Sequence, residues 1–254
     1  MILQVKEVSK HFGGLKAVNN LSFTVADNSI WGVIGPNGAG KTTLFNCLTG
    51  TYQLTSGEIL FNDESIAGLK PSKVAEKGLI RTFQGNKIFP GFTVYENVLM
   101  GADRRTPTKA WEEILGIKKA KRIEKEAHEK VMEILDFLEL TAEKDFLGKN
   151  LSHGSQRRLA IATALASNPK LLLLDEPATG MNPEETADLM DHIRKINKMG
   201  ITIVLIEHDM KLVMNICEKI TVISFGEKIA EGSPKEIAQN KQVIEAYLGR
   251  GSQF

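Results

Sequence analysis

Residues 35–43, GPNGAGKTT, combine residue types that can together hold a phosphate chain. The stretch satisfies the spacing G-x-x-x-x-G-K-[ST], follows the apolar run IWGVI and precedes a helical pattern. Glycines let the backbone wrap closely, so that successive N–H groups converge on phosphate oxygens, and a helix start adds a favourable dipole. Four such fixed positions match by chance in roughly one chain in a hundred of this length. The stretch therefore predicts a nucleotide site.

The individual residues of this loop have predicted roles. Lys41 is expected to neutralise the β- and γ-phosphates, and the Thr42 hydroxyl is expected to bind Mg²⁺. Thr43 is expected to hold the α-phosphate. The full set of predicted ATP-binding positions in the loop is Gly35, Pro36, Asn37, Gly38, Ala39, Gly40, Lys41, Thr42 and Thr43.

Two carboxylates follow the apolar run LLLL, in Asp175 and Glu176. An acidic residue at the end of a parallel strand beside a phosphate loop is well placed to bind Mg²⁺, and we assign that role to Asp175. Neighbouring side chains in a strand point in opposite directions, so Glu176 can face the γ-phosphate and orient or deprotonate a water there. A lone Asp-Glu pair at a strand end is more often a solvated turn, but its position downstream of the phosphate loop favours the catalytic interpretation.

Two further polar residues follow strand-like runs. His208 comes after ITIVLIE, and ligands of open α/β sheets bind at the carboxyl ends of the strands. It is a candidate for a hydrogen bond to the γ-phosphate and to the attacking water, although a single histidine there is more often a surface residue. Gln84, in RTFQ, is a weaker signal, because polar residues commonly follow short strands.

A second potential anion site lies at residues 151–155, LSHGS, directly before an amphipathic pattern predicted as a helix over 156–167. Ser152 and Gly154 offer a hydroxyl and an N–H at the start of that helix, where the dipole favours anions. The loop at 35–43 already accounts for one anion, so this second site needs a different explanation.

Composition excludes several classes of protein. The 254 residues carry 32 basic and 31 acidic side chains, a net charge of +1 that gives no basic footprint for nucleic acid. Cys47 and Cys217 form no CxxC pair, are too few for a disulfide framework or zinc site, and are expected to be packing residues. The longest apolar runs are far shorter than the roughly 18 residues that cross a bilayer. The first residues, MILQVKEV, alternate like a strand and do not resemble a signal peptide.

Hydrophobic periodicity predicts an α/β core interrupted by helices. Strands are predicted over 3–8, 21–25, 30–34, 58–61, 171–175, 201–206, 220–224 and 228–231, with helices after Lys41 and over 183–199. Residues 95–149 have a helical character. One apolar stripe there consists of Ile123, Ala127, Val131, Ile134 and Leu138. The mixed charges of 103–130 indicate a solvated helix face.

These motifs together resemble the nucleotide-binding subunits of ABC transporters, over essentially the whole chain. The family's order of an aromatic residue, phosphate loop, Gln loop, signature, Asp-Glu strand and switch histidine is met by Phe12, 35–43, Gln84, 151–155, Asp175 with Glu176, and His208. The resemblance implies that Phe12 stacks on adenine and that Gln84 touches Mg²⁺ and signals to the membrane subunit. It also implies that the signature, Leu151, Ser152, His153, Gly154 and Ser155, caps the γ-phosphate of the nucleotide held by the other protomer. That explains the second anion site.

Three positions depart from the family's pattern. The usual signature is LSGGQ, so His153 replaces a glycine and Ser155 replaces the glutamine. Asn182 stands where many members have Asp in the loop after the Asp-Glu strand. Ser152 and Gly154, the phosphate-facing positions, match.

The resemblance implies a fold and an assembly. The fold is an α/β P-loop NTPase core with an antiparallel β subdomain and an inserted helical subdomain, forming a single domain of residues 1–254. The core is expected to cover about 1–88 and 157–254, with the helical subdomain at about 89–156. The implied ligands are ATP and Mg²⁺. The implied partners are a second ABC ATPase, identical or related, the transmembrane permease subunits and, indirectly, a periplasmic or extracellular substrate-binding protein. The implied location is the cytoplasmic face of the membrane, as a peripheral subunit.

The finer resemblance is to the ATPase subunits of branched-chain amino acid importers. It is carried by RTFQ, RRLAIATAL, DEPATGMNP, IEHDMKLVM, the ending VIEAYLGR and the helical insertion between Gln84 and the signature. The lipopolysaccharide-export ATPase has a similar YLG tail and stays open as an alternative, as does an ATPase of iron–sulfur cluster assembly. A DNA-repair or chromosome ATPase would need a coiled coil or a basic face. A P-loop kinase would not explain the signature.

Overall fold

The computed structural model describes residues 1–82, 88–102 and 117–248. The chain forms two compact units, one of residues 1–81 with 170–254 and the other of residues 82–169. The described helices are α1 (Lys41–Leu48), α2 (Pro71–Glu76), α3 (Val94–Ala102), α4 (Ile117–Phe137), α5 (His153–Ala166), α6 (Pro183–Lys198), α7 (Met210–Ile216), α8 (Pro234–Ala238) and α9 (Lys241–Leu248). The predicted subdomain bounds at 88 and 157 stay a prediction.

A four-stranded antiparallel sheet belongs to the first unit. In the order β2-β1-β4-β5 it consists of β1 (Leu3–Phe12), β2 (Leu15–Val25), β4 (Ser56–Phe61) and β5 (Glu64–Ser65). The strands predicted at 3–8 and 21–25 are too short, because β1 and β2 continue to a tight turn in which Phe12 pairs with Leu15. Register shifts between Val5 and His11 interrupt the alternation on which the prediction depends.

A six-stranded sheet in the same unit positions the candidate catalytic residues. Its order is β10-β9-β3-β8-β7-β6, from β3 (Ile30–Ile34), β6 (Leu79–Arg81), β7 (Leu171–Asp175), β8 (Thr202–Ile206), β9 (Lys219–Ser224) and β10 (Glu227–Gly232). All neighbours are parallel except β9 and β10. Every residue of β3, β7 and β8 is buried, as their unbroken apolar runs predict. Parallel strands bring their carboxyl ends to one edge, so Gly35, Glu176 and Glu207 follow strands that end on the same side.

Helix α1 and both sheets of the first unit share one hydrophobic core. The core includes Leu44, Phe45 and Leu48 of α1, together with side chains of β1 and β7. Cys47 and Cys217 are both buried and unbridged, as the packing role predicts. Because α1 is held along its length by this core, the position of its first turn is fixed.

In the residues that the structure describes, the second unit contains α3, α4, α5 and two short 3₁₀ turns, Thr141–Glu143 and Gly148–Asn150. Of the predicted stripe, Val131 and Leu138 are fully buried. The predicted helical character does not extend unbroken to 149: α4 ends at Phe137 because Glu139 adopts a left-handed φ of 57°. Exposed (i, i+4) ion pairs on α4, such as Arg122 with Glu126, fit the solvated face that the mixed charges predict. Within the described ranges, no helix combines the length and apolar character that a membrane span requires.

Candidate active site

The loop of residues 35–43 connects β3 to α1, and its backbone is packed closely against neighbouring strands. A Cβ on Gly35 would lie 2.0 Å from the carbonyl oxygen of Ile223, and one on Gly40 would lie 2.2 Å from that of Ala17. Gly40 also has a left-handed φ of 103° and occupies the N-cap position of α1, where it supplies no side-chain cap. The first N–H groups of α1 therefore face the loop without a competing side-chain acceptor, as an anion site requires.

Lys41 is the buried cation of this loop. Its side chain is only 7% exposed, and Nζ donates hydrogen bonds to the carbonyl oxygens of Gly35 at 2.6 Å and Pro36 at 3.0 Å. Burial lowers the pKa of Lys41, and the charges of Glu176 and Asp175 oppose that effect. The positive charge is thus held in place by its own loop with two carboxylates nearby.

The loop lines an open cleft of about 460 Å³. The lining residues are Leu15, Lys16, Ala17, Asn37, Gly38, Ala39, Gly40, Lys41, Thr42, Thr43, Glu176 and Phe225. The structure therefore brings Glu176 into the same cleft as seven of the nine predicted loop residues. The other two, Gly35 and Pro36, hold the Lys41 ammonium.

Asp175, the last residue of β7, forms a buried ion pair with Arg81, the last described residue of β6. Arg81 Nη2 lies 2.5 Å from Asp175 Oδ2, and the two side chains are 5% and 1% exposed. Arg81 Nη1 also donates to Asn46 Oδ1 of α1 at 2.6 Å. In the sequence, Arg81 is distinguished only as part of the RTFQ motif. It joins two strand ends to the helix that follows the phosphate loop.

Glu176 has a left-handed backbone, with φ 49°. Its N–H donates to the carbonyl oxygen of Ile206 at 2.9 Å, so β8 holds the residue in that conformation. A non-glycine residue in this region costs about 1 kcal/mol or more, and such strain is concentrated at functional sites. The strained turn directs Glu176 into the cleft while its neighbour Asp175 stays buried.

Glu207, which is not among the predicted site residues, holds the loops that follow β7 and β8. Its fully buried carboxylate accepts hydrogen bonds from the N–H of Ala178 at 2.8 Å and from that of His208 at 3.1 Å, with a longer one from Asp209 at 3.4 Å. Burial raises the pKa of Glu207, and these N–H donors and the nearby His208 oppose the rise. The sequence feature that points to Glu207 is an ionisable residue directly after a buried, mostly apolar strand.

Of the three other residues predicted to contact the nucleotide or its metal ion, the structure describes two, His208 and Phe12. His208 is exposed, and its Nδ1 lies 3.8 Å from Glu207 Oε2. Phe12 is also exposed and is not among the residues that line the cleft; its ring meets Tyr52 edge-on at 5.3 Å and lies 4.8 Å from Lys10 Nζ. Gln84 lies outside the described residues.

The stretch of residues 151–155 forms the start of α5 in the second unit, so the helix predicted from 156 begins three residues too late. Ser152 is the N-cap and its Oγ accepts from the N–H of Ser155 at 3.1 Å, which draws His153, Gly154 and Ser155 into the first turn. Leu151 is buried and His153 is exposed.

Two of the residues that depart from the family's sequence pattern, Ser155 and Asn182, make side-chain contacts that stabilise the local structure. Ser155 is buried and its Oγ donates to Glu143 Oε1 at 3.2 Å while accepting from Arg158 Nη2 at 3.2 Å. Asn182 caps α6 by accepting from the N–H groups of Glu184 and Glu185, and Glu185 completes the capping box. A small hydroxyl at 155 fits this buried network.

Comparison with known proteins gives two family matches. The family model described as ABC transporter matches residues 18–179. The model described as branched-chain amino acid ATP-binding cassette transporter matches residues 227–252.

Individual proteins are similar over nearly the whole chain. The high-affinity branched-chain amino acid transport ATP-binding protein BraF of Pseudomonas aeruginosa is 44% identical over 98% of each chain. The corresponding LivG protein of Escherichia coli strain K12 is 42% identical over 98% of each chain. A crystal structure of a nucleotide-free ATP-binding cassette from an ABC transporter has a TM-score of 0.85 at 32% identity, covering 98% of this chain and 99% of that one.

Proposed function

The chain belongs to the ABC transporter family of ATP-binding proteins, and on that premise we propose that it powers the import of branched-chain amino acids across the cytoplasmic membrane. It is an ATPase with the α/β fold of an ABC cassette. The observation that carries the proposal is the presence of Lys41, Thr42 and Glu176 around one cleft. The match of residues 227–252 to the branched-chain family model supports the choice of substrate.

The phosphate chain binds to the N–H groups between Asn37 and Thr43. Lys41 neutralises the β- and γ-phosphates, and exchanges at least one of its loop carbonyls for a phosphate oxygen as it does so. The partial positive charge of the α1 N-terminus adds to this attraction. Phe12 stacks on the adenine. The loop thus supplies binding and charge neutralisation, the main contributions of a protein to phosphoryl transfer.

The oxygen donors for Mg²⁺ are the Thr42 hydroxyl and the Asp175 carboxylate, with Gln84 as a further donor. These hard oxygen ligands suit the ion. Asp175 fits the role because its Oδ1 is buried without a hydrogen-bond partner among the described residues, while Oδ2 is held by Arg81. When bound, Mg²⁺ would supply positive charge that offsets the charge of the phosphates.

Glu176 orients and deprotonates the attacking water. It reaches into the cleft from a strained turn, so a small change in that turn moves its carboxylate relative to the γ-phosphate. His208 hydrogen-bonds the γ-phosphate and the attacking water. Glu207 holds the backbone on both sides of this arrangement through Ala178 and His208, so the two loops keep one geometry during hydrolysis.

The nucleotide is shared with a second ATPase subunit, identical or related. The signature residues 151–155 of one protomer cap the γ-phosphate held by the other. Ser152 keeps its capping bond from the Ser155 N–H, while its own O–H exchanges the hydrogen bond that it donates to Ser155 Oγ at 3.1 Å for one to the phosphate. Hydrolysis removes the bridging phosphate, so the pair opens, and this two-state motion drives the permease.

The permease subunits dock on the second unit, at the exposed aromatic side chains of Phe89, Phe92 and Phe146. Phe89 and Phe92 stack with ring centroids 5.4 Å apart. Phe146 is also exposed, and the bridge between its neighbour Leu147 and Thr93 pairs its segment with the segment that carries Phe92. Exposed apolar clusters mark protein–protein contacts. Docking there holds the chain at the cytoplasmic face as a peripheral subunit, with a substrate-binding protein acting on the other side.

The test is uptake of radiolabelled leucine by cells whose copy of the gene is replaced by the wild-type or the Glu176→Gln sequence. Leucine uptake is expected to fall at least about tenfold with the variant, because losing a general base costs roughly 10²–10⁴ in rate. Lysine uptake is the matched control and should not change. Unchanged leucine uptake would refute the substrate assignment, and a defect in lipopolysaccharide export alongside it would favour the export ATPase.

A further inference from the structure

Phe225 combines two features that are unfavourable for an isolated surface residue. It is 91% exposed, and its φ of 49° lies in the left-handed region. It forms the two-residue turn between β9 and β10 with Gly226, whose φ is also positive at 82°. Turns of this kind prefer Asn or Asp at the first central position, because these residues tolerate that backbone. An aromatic side chain there improves neither turn geometry nor core packing.

The turn is held by backbone hydrogen bonds to the phosphate loop and to β2. The N–H of Gly226 donates to the carbonyl oxygen of Ala39 in the phosphate loop at 2.9 Å. The carbonyl oxygen of Gly226 accepts from the N–H of Asn19 on β2, also at 2.9 Å. Phe225 is thereby held at the rim of the cleft, which it lines together with Leu15, itself 65% exposed.

We propose that Phe225 is a nucleotide contact whose ring packs against the ribose and base of the nucleotide bound in this cleft. The N–H groups from Asn37 to Thr43 and the Lys41 ammonium serve the phosphates, so an apolar ring at the rim is suited to the uncharged part of the ligand. Aromatic rings bind nucleobases through their faces. Phe12, the proposed adenine-stacking residue, does not line the cleft and packs edge-on against Tyr52. Phe225 supplies a second ring, from within the lining of the cleft. This inference rests on the nucleotide site of the proposed function.

The test compares two ligands on the wild-type chain and on Phe225→Asn. ADP carries the ribose and base, whereas inorganic tripolyphosphate carries only phosphate, and both are measured by displacement of a fluorescent nucleotide. The variant should bind ADP about fivefold more weakly, as expected for loss of a modest base–aromatic contact, with tripolyphosphate affinity unchanged. Because Asn tolerates a positive φ, the melting temperature should stay the same or rise.

Two matched variants control the experiment. Phe225→Tyr keeps the ring and should retain the ADP affinity of the wild type. Met199→Asn removes another exposed apolar side chain, one that does not line the cleft, and should change neither affinity.

Three results would overturn the inference. The first is an ADP affinity of Phe225→Asn equal to that of the wild type, and the second is an equal loss of affinity for ADP and tripolyphosphate. The third is a weaker association of protomers with normal ADP binding, which would make Phe225 a contact between copies of the chain. A wild-type chain that binds neither ligand would instead refute the nucleotide site itself.

Discussion

Arg81 donates a 2.5 Å charge-assisted hydrogen bond from Nη2 to Oδ2 of Asp175 in the interior of the first unit. The same guanidinium bonds Asn46 of α1 and lies 5.5 Å from the Phe45 ring centroid. One side chain therefore sets the position of the proposed metal-binding carboxylate relative to the helix that follows the phosphate loop. Removing it leaves a buried charge without its partner.

Arg81→Leu should lower the free energy of unfolding by about 3–5 kcal/mol, because breaking one side of a buried ion pair leaves an uncompensated charge. Urea denaturation measures this. Adding Asp175→Asn to Arg81→Leu should recover part of the loss. Lys73→Ala, which removes an exposed ion pair with Glu76, is the control and should cost no more than about 1 kcal/mol. An Arg81→Leu cost as small as that of the control would contradict the buried-pair account.

Lys41→Ala should abolish nucleotide binding, because the buried ammonium is proposed to be the main charge that neutralises the phosphates. Titration calorimetry with ATP checks this directly. Lys16→Ala tests whether any cation at the cleft is sufficient, since Lys16 is exposed and lines the same cleft. Its effect on affinity should be much smaller. Similar losses for both variants would mean that general electrostatic attraction, not the loop, binds the nucleotide.

The contribution of Glu207 to the free energy of unfolding should decrease as the pH rises. Burial raises its folded pKa above the ordinary value of 4.5, so the folded chain binds this proton more tightly than the unfolded chain. The group's contribution to stability is present below pH 4.5 and is lost as the pH rises through the folded pKa. Glu207→Gln removes this titration. Urea unfolding across that window should show wild-type stability falling relative to the variant; parallel curves would contradict the prediction.

Ser152→Arg should stop hydrolysis without weakening the affinity of the monomer for ATP, because the signature is proposed to act on the partner's nucleotide. Calorimetry on the isolated chain and a phosphate-release assay separate the two effects. Ser152→Thr, which keeps the hydroxyl and the helix cap, is the matched control. If Ser152→Arg weakened ATP binding by the monomer as strongly as it weakened turnover, the site would act within one chain.

Features that depend on local pattern could be predicted from the sequence. The bounds of β3 and β7 agree with their apolar runs, and the phosphate loop is a contiguous motif with a glycine wherever the backbone is crowded. Cys47 and Cys217 are buried as expected. In these cases the residues that determine the structure are close to one another in the sequence.

Features that depend on distant partners could not be predicted. Arg81 and Asp175 are 94 positions apart, and Glu207 bonds the N–H of Ala178 across 29 positions. The predicted start of α5 is three residues too late because a Ser-x-Gly sequence resembles a turn, whereas the Ser152 cap and the hydrogen bond from the buried Ser155 to Glu143 favour a helix. Phe225 gave no signal, since only the paired strands place its turn beside the phosphate loop.

The central claim is that Glu176 activates water on an ATP that two protomers share. The most direct measurement combines ATP turnover with light scattering on Glu176→Gln in the presence of Mg²⁺ and ATP. The account predicts unchanged ATP affinity, hydrolysis reduced by a factor of roughly 10² or more, and a stable dimer that returns to monomer with ADP. A Glu176→Gln chain that stays monomeric and hydrolyses ATP at the wild-type rate would contradict it.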